Sequence, residues 1–432
     1  MEIGIVGAGV AGLTAAYELG KADHHVTVFE QAPKAGGLSG TFRDERWEWP
    51  LEKFYHHLFA SDHSVLNLSR ELGLGPKIFF PRPITAIWQD GTINAFDSPM
   101  AVLRYPYLSF VDKVRVGVVT LYLRLSSNWK PLEGVTAHEW LPRYIGPRAY
   151  HVLWEPLLAN KMGSHYQDVN MAWFWARFHK RSQRLGYYVG SYQVLVDALV
   201  DHVRSQGGQV HMEARADAAY ECPTGVCLRV SGQEHRFDAA LLTVPPPALP
   251  DLAPGLPQAY LEQVRNLRSL GAVALILALD RPVTERFYWV NLPQGQFPFL
   301  AFVEHTNYQL PEHYGGDHIV YLGDYPAAGA PHMTASKEEL LEEFLPHLTK
   351  LNPDFQPSWV RSTWLFREEY AQPIVPLHYS QQIPSIRTPL RRLYWATMSH
   401  VYPWDRGSNY AVEMGQQAAQ MILQDAQATP QS

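Results

Sequence analysis

Cysteine is nearly absent from this chain, with only Cys222 and Cys227 in 432 residues. That excludes a disulfide framework and a cysteine-built metal cluster. The two flank Pro223-Thr224-Gly225, a turn sequence, and read as a reduced structural pair facing across a hairpin in a cytosolic protein. Long apolar runs are missing too. The best candidates, residues 114–125 and 270–279, fall short of the ~20 apolar residues a membrane-spanning helix needs, and Arg115 and Arg124 break the first. A peripheral membrane contact stays open. Positive charge is not in excess: 36 Lys and Arg face 42 Asp and Glu, a net −6, which gives no reason to expect a nucleic-acid partner. The N-terminus lacks a charged leader region and glycines break its apolar residues, so it does not read as a signal peptide, and the expected location is cytoplasmic. No internal repeat is present. No metal site is expected either, since His56-His57 stands without further ligands.

What the chain does have is apolar and aromatic mass. Hydrophobic residues make up 46%, enough for a sizeable core, and the length suggests two or three domain-sized bodies. Aromatics reach 12%, which suits a flat ligand or a large core equally. Residues 2–6 read as a strand, 11–19 as a helix of small and apolar residues, and 26–29 as a second strand ending at Glu30: a βαβ opening. Residues 79–188 are aromatic with little strand-like alternation, and 136–140, 149–158 and 170–184 read as helical. Residues 192–206 form an amphipathic helix stopped by Gly207-Gly208, followed by extended chain over 210–219 and a strand over 237–244 ended by three prolines. Runs at 272–279, 299–304 and 318–322 predict a β-rich body. A strand at 393–396, a helix at 411–422 and a frayed polar tail over 425–432 close the chain.

Gly7, Gly9 and Gly12 form G-x-G-x-x-G between the predicted strand and helix. The first glycine allows the tight turn, the second the approach of a pyrophosphate, and the third close helix–strand packing. Glu30 follows 18 residues after Gly12, near the ~20 expected of a carboxylate that binds ribose hydroxyls. A glycine-rich turn with no ligand is the plain alternative. A second pair, Gly36-Gly37, comes at once in Ala35-Gly36-Gly37-Leu38-Ser39-Gly40-Thr41, which a simple nicotinamide dehydrogenase does not need.

From Gly7 to Thr41 the chain resembles the opening of the FAD-dependent amine oxidase, protoporphyrinogen oxidase and phytoene desaturase superfamily. UDP-galactopyranose mutase and the Rab GDP-dissociation inhibitors share that fold. Residues 190–216, 238–247 and 393–422 resemble its later blocks, in the same order. Ala216 stands where relatives have valine, and Ala396-Thr397 replaces the usual Gly-Asp before the last helix. The resemblance implies an α/β fold: a Rossmann-like FAD-binding domain with a parallel sheet, discontinuous in sequence, and an inserted α+β substrate domain. It assigns residues 1–75, 190–250 and 385–432 to the first. Residues 76–189, mostly helical, and 251–384, β-rich, go to the second. It also implies non-covalent FAD, held by Gly7, Gly9, Val10, Ala11 and Gly12, by Glu30 and Gln31, by Gly36, Gly37 and Leu38, by Ala216, and by Gly407, Asn409, Tyr410 and Ala411. With no cysteine near the closing motif, a thiol link to flavin there is excluded. Asn409 is also a candidate cap for its own helix.

Candidates for catalysis are fewer. His56 and His57 lie in a segment that resembles the one against the isoalloxazine in UDP-galactopyranose mutase, with Phe54-Tyr55 where glycines are common. Imidazole titrates near neutrality, so either could relay a proton. Arg177, with Arg181, Arg184 and Lys180 after Trp173-Phe174-Trp175, could clamp a carboxylate or phosphate; a solvated basic stripe is the simpler reading. Lys161 does not match the local sequence of the lysine some amine oxidases place near flavin N5, and residues 304–307 read as a cavity wall or a loop. Residues 105–125 could form a lipid-side entrance, although packing inside the insert is the simpler expectation.

Three functions follow. The first is an FAD-dependent oxidoreductase passing hydride from a small organic substrate to flavin N5, the substrate being hydrophobic or a nucleotide-sugar. The second is a redox-neutral flavoenzyme of the sugar-mutase type, and the third an FAD-free binding protein like the GDP-dissociation inhibitors. Gly12, Glu30 and Gly36-Gly37 argue against the last.

Overall fold

The β-branched runs Glu2–Val6 and His25–Phe29 pair in parallel, joined by the helix Val10–Lys21, whose glycine and alanines let it lie close on the sheet. The computed structural model describes residues 1–180, 182, 184–293 and 295–428. The parallel sheet has five strands in the order Gln209–His211, His25–Phe29, Glu2–Val6, Ala239–Leu242 and Leu393–Trp395. It is thus gathered from chain segments some 390 residues apart, with Glu2–Val6 at its centre and Ile3 and Ile5 fully buried. The order reverses at that central strand, so the crevice at its carboxyl end is where such sheets bind ligands. On one face the helices Val10–Lys21 and Ser408–Ala428 interlock: a Cβ on Gly415 would stand 2.4 Å from the Ala11 carbonyl oxygen.

The second body is a seven-stranded sheet, ordered Val360–Pro373, Ser269–Leu279, His318–Asp324, Ala301–Glu304, Phe287–Asn291, Ile84–Gln89 and Thr92–Ala95. Alternation along Ser269–Leu279 divides its faces. Ala274, Ile276 and Ala278 pack toward the parallel-sheet body, while Val273, Leu275 and Leu277 pack with Leu340, Phe344 and Leu348.

Several sequence expectations are corrected here. Residues 79–188 do contain strand: Ile84–Gln89 and Thr92–Ala95 form a hairpin on Asp90-Gly91, both at positive φ, and this hairpin completes the sheet of the later insert. Strands Phe287–Asn291 and Val360–Pro373 also escaped the pattern. The extended run expected over 210–219 is two strands, because Glu213 turns the chain at φ 54°. The helix expected to reach residue 184 ends at His179, since Arg184 must give its carbonyl to Ala60 in a short ladder; Arg181 lies outside the described residues. The last helix runs on to Ala428, with Asp425 held by Arg387 and Tyr394, and residues 429–432 lie outside the described residues.

Residues 105–125 do not simply pack inside. Helix Phe110–Leu125 buries Val116 and Leu123 but leaves Phe110, Val111, Val114, Val118, Leu121, Tyr122 and Leu125 exposed along one stripe. Among the described residues, no helix is long and apolar enough to cross a membrane.

Candidate functional site

At the carboxyl end of the central strand the main chain shapes a cradle. Gly7 adopts φ +106°, and its N–H donates to the Phe29 carbonyl. A Cβ on Gly12 would stand 2.1 Å from the Gly7 carbonyl oxygen, so only glycine lets this helix start so near the strand. Gly9 bridges Gly36, whose N–H donates to the Ala8 carbonyl at 2.9 Å. Gly9 and Gly37 face each other with no side chain between them; the nearest atom to a Cβ on Gly9 would be the Gly37 Cα, 4.0 Å away. The first helix, starting at Val10 and Ala11, has no side-chain cap and no acidic residue in its first turn. Its N–H groups and partial positive charge therefore face this seam unclaimed by any side chain. This Cβ-free cleft beside an uncapped helix N-terminus has the donors and the room that a pyrophosphate requires.

Glu30 closes the far side. Its carboxylate accepts from Ala8 N–H at 2.8 Å and Ala32 N–H at 2.9 Å. Gln31 beside it is exposed, and Leu38 lies half-buried in the turn Gly37–Ser39. The backbone of Ala214 donates to the Glu30 carbonyl, while Ala216 begins the following strand opposite Val230.

Asn409 does not cap its own helix. It sits inside the first turn of Ser408–Ala428, and its side-chain oxygen instead accepts from Ser64 and Val65 N–H, at 2.9 and 3.2 Å, capping the helix His63–Glu71. Tyr410 stacks on Trp404 with ring planes 7° apart, Gly407 is exposed, and Ala411 follows on the same turn.

The chain from Glu52 to Phe59 runs between this cradle and the inner face of the seven-stranded sheet. Glu52 is wholly buried, with Tyr187 Oη donating to both oxygens and Tyr192 N–H to one; burial pushes its carboxyl up to about 7. His56 Nδ1 lies 2.6 Å from the Phe54 carbonyl oxygen. A carbonyl only accepts, so the proton is on Nδ1, and Nε2, 3.5 Å from Ser39 Oγ, carries the lone pair. Burial, reinforced by the charge of Arg406, pushes this imidazole down to about 4. His57 turns elsewhere, toward the Tyr288 hydroxyl at 3.3 Å.

Arg406 is the residue the sequence reading missed. Its Nε donates to Gln372 Oε1 at 2.9 Å and its Nη2 to the Tyr325 hydroxyl, which lies 3.1 Å from the Tyr55 hydroxyl. Tyr55 stands edge-on to Trp289 and Tyr321, and Gly323 leaves room for its ring. The neighbouring Asp405, 5% exposed, binds Lys161 Nζ at 2.9 Å and Arg177 Nη1 at 2.8 Å, and accepts from Trp173 Nε1. So Arg177 is drawn in from the expected solvated stripe, and Lys161 joins it despite an unmatched local sequence. Only the dipeptide Asp405-Arg406, directly before the last helix, could have signalled this. Residues 304–307 prove structural: Glu304 accepts from Val283 N–H, Thr284 N–H and Oγ1, and Asn307 Nδ2.

The cradle, with its paired glycine turns and terminal carboxylate, has a counterpart among known families. A model of the flavin-containing amine oxidoreductases matches residues 10–423. The chain belongs to this family. Membership implies a flavin cofactor, and the backbone cradle above fits a dinucleotide form of it. The chain is 22% identical over 388 residues to a 15-cis-phytoene desaturase of Narcissus pseudonarcissus, covering 82% of this chain and 66% of that one. In three dimensions it is similar to reduced UDP-galactopyranose mutase, with a TM-score of 0.76, 15% identity, and 98% and 95% of the two chains covered. Cyclohexylamine oxidase from Brevibacterium oxydans IH-35A gives 0.74 at 15% identity, with 99% of each chain covered. At such identities the likeness shows the fold alone.

Proposed function

We propose that this family member is an FAD-dependent oxidoreductase that takes a hydride from a C–H bond of a small organic substrate. The observation that carries this reading is the seam of Gly9, Gly36 and Gly37 against the uncapped helix at Val10, closed by Glu30. Bound non-covalently, FAD would supply the hydride acceptor, its N5. The chain's own residues supply placement. The first helix holds the pyrophosphate, and Glu30 exchanges its main-chain donors for ribose hydroxyls. The N-terminus of Ser408–Ala428 offers N–H groups to negative charge on the flavin's pyrimidine edge. Neutral at pH 7 with its proton on Nδ1, His56 presents the Nε2 lone pair as a hydrogen-bond acceptor toward a substrate.

The test is uptake and reduction: purified protein binds FAD, and a screen of organic substrates finds one that bleaches it without oxygen. Turnover only after dithionite reduction, with no net oxidation, selects the mutase-type alternative. A chain that takes up no FAD sinks both enzyme readings and revives the binding-protein one.

A peripheral membrane contact belongs to the same proposal, for a cytoplasmic protein. Nine of the twelve large exposed apolar side chains fall between Met100 and Leu125. Residues 97–148 hold seven Lys and Arg against four Asp and Glu in a chain of net −6. An apolar stripe with a basic rim matches an anionic lipid surface. Binding to vesicles containing phosphatidylglycerol that falls on Leu121→Glu supports it. Self-association without vesicle binding counts against it.

A further inference from the structure

One guanidinium near the cradle, that of Arg406, feels the charge of Asp405 but makes no direct ion pair among the described residues. Arg406 is half-buried, and among the described residues no carboxylate lies within ion-pair distance of its guanidinium and Nη1 meets no acceptor. The carboxylate nearest in sequence, Asp405, is turned to Lys161 and Arg177 and takes only the main-chain N–H of Arg406. A half-buried guanidinium with an open edge and no direct ion pair suits an anionic ligand, which takes that edge with charge-assisted hydrogen bonds.

The two tyrosines extend the same imbalance. Tyr55 and Tyr325 share one hydrogen bond, and Tyr325 also accepts from Arg406. Two phenols have two protons, and one serves the pair. Whichever way the pair is oriented, one O–H remains, and among the described residues no acceptor meets it. A guanidinium edge and a phenolic O–H therefore converge with no acceptor between them.

The geometry points to Arg406, Tyr55 and Tyr325 as a subsite that reads an oxyanion on the substrate, best matched by a carboxylate. This rests on reading the cleft as the substrate side of a flavin. A carboxylate takes the flat guanidinium edge and leaves a lone pair for the phenol. The flavin itself is the other possible anion, because reduced flavin carries negative charge. The supports of Arg406 argue for the substrate: Gln372 lies in a strand of the seven-stranded sheet and Tyr325 directly follows another, so neither comes from the cradle. The apolar side of the ligand would meet Tyr55 and Trp289, which stand edge to face.

The experiment is a titration of the protein with benzoate and octanoate, each against its primary amide, followed by tryptophan fluorescence with FAD added. The readout needs no flavin colour or turnover, so absence of FAD uptake is a failure of the oxidoreductase reading, seen separately. Each acid should bind at least about 10-fold more tightly than its amide. Arg406→Gln should weaken acid binding about 10- to 100-fold and leave amide binding within about twofold. If that variant does not fold, Tyr325→Phe keeps the charge and should cost acid binding about 3- to 10-fold. Equal binding of acid and amide, or no saturable binding of either acid, would overturn the proposal. So would phenyl phosphate binding more tightly than benzoate. A midpoint-potential shift in Arg406→Gln with unchanged acid affinity would assign Arg406 to the flavin instead.

Discussion

The cradle and the Arg406 cluster meet through one segment, whose His56 reaches Ser39 and whose Tyr55 reaches Tyr325, and they are built from different material. The cradle is main chain: three glycines of one turn, two of the next and a strand-end carboxylate, all within residues 7–37. The cluster is side chain, with Tyr55, Tyr325, Gln372 and Arg406 brought together from distant segments. A surface made of backbone N–H groups recognises a feature common to all dinucleotides, and its geometry tolerates almost no added atoms. A surface made of side chains is free to change partner by partner, which is what substrate choice demands.

That contrast can be broken by substitution. Gly12→Val should have the largest effect: its Cβ would meet the Gly7 carbonyl at 2.1 Å, so FAD uptake should be lost and thermal stability should fall by about 3 kcal/mol or more. Glu30→Ala should weaken FAD binding about 10- to 100-fold in a flavin-fluorescence titration, while benzoate affinity in FAD-saturated protein stays within about twofold. Tyr325→Phe should do the reverse, leaving FAD affinity unchanged. If Tyr325→Phe and Glu30→Ala alter both ligands equally, the two surfaces are not separable.

A pH effect comes next. Burial holds Glu52 and Glu304 up at about 7, against an ordinary 4.5. Their contribution to stability is fully present below about 4.5 and is lost as pH rises to about 7. Burial pushes His56 and His400 down to about 4 and His305 to about 3. Their contribution is present above 6.5 and lost as pH falls toward 4 and 3. The two sets oppose each other in the overlap. Glu304→Gln removes one of them, so its stability difference from the parent should shrink on the order of 2 kcal/mol between pH 4.5 and 7 in denaturant titrations. The smallest effect expected is Asn409→Ala, which strips the cap from His63–Glu71 and should cost about 1 kcal/mol in the same assay.

Much of the cradle could be read in order along the chain, because each residue there acts on near neighbours. Spacing alone placed the strand, the turn, the helix and Glu30. The hairpin Ile84–Ala95 was missed although Asp90-Gly91 is a strong turn signal, because the aromatic stretch after it drew the whole segment toward a helical reading. Strand Val360–Pro373 was missed because its exposed edge mixes Arg, Glu and Trp without a clean alternation. The cluster was not legible at all. Arg406 has no motif of its own, and its significance lies in a carboxylate turned away and a tyrosine 81 residues earlier in the chain. Arg177 reads as solvated from its own segment because nothing local shows that Asp405 reaches it.

The central claim is that the glycine seam holds FAD for an oxidation. The most direct test is an absorption titration of the purified chain with FAD, followed by acid precipitation and anaerobic exposure to candidate substrates. A single FAD per chain, released intact by the acid and bleached by a substrate before precipitation, is the predicted result. A colourless protein that takes up no FAD would contradict it.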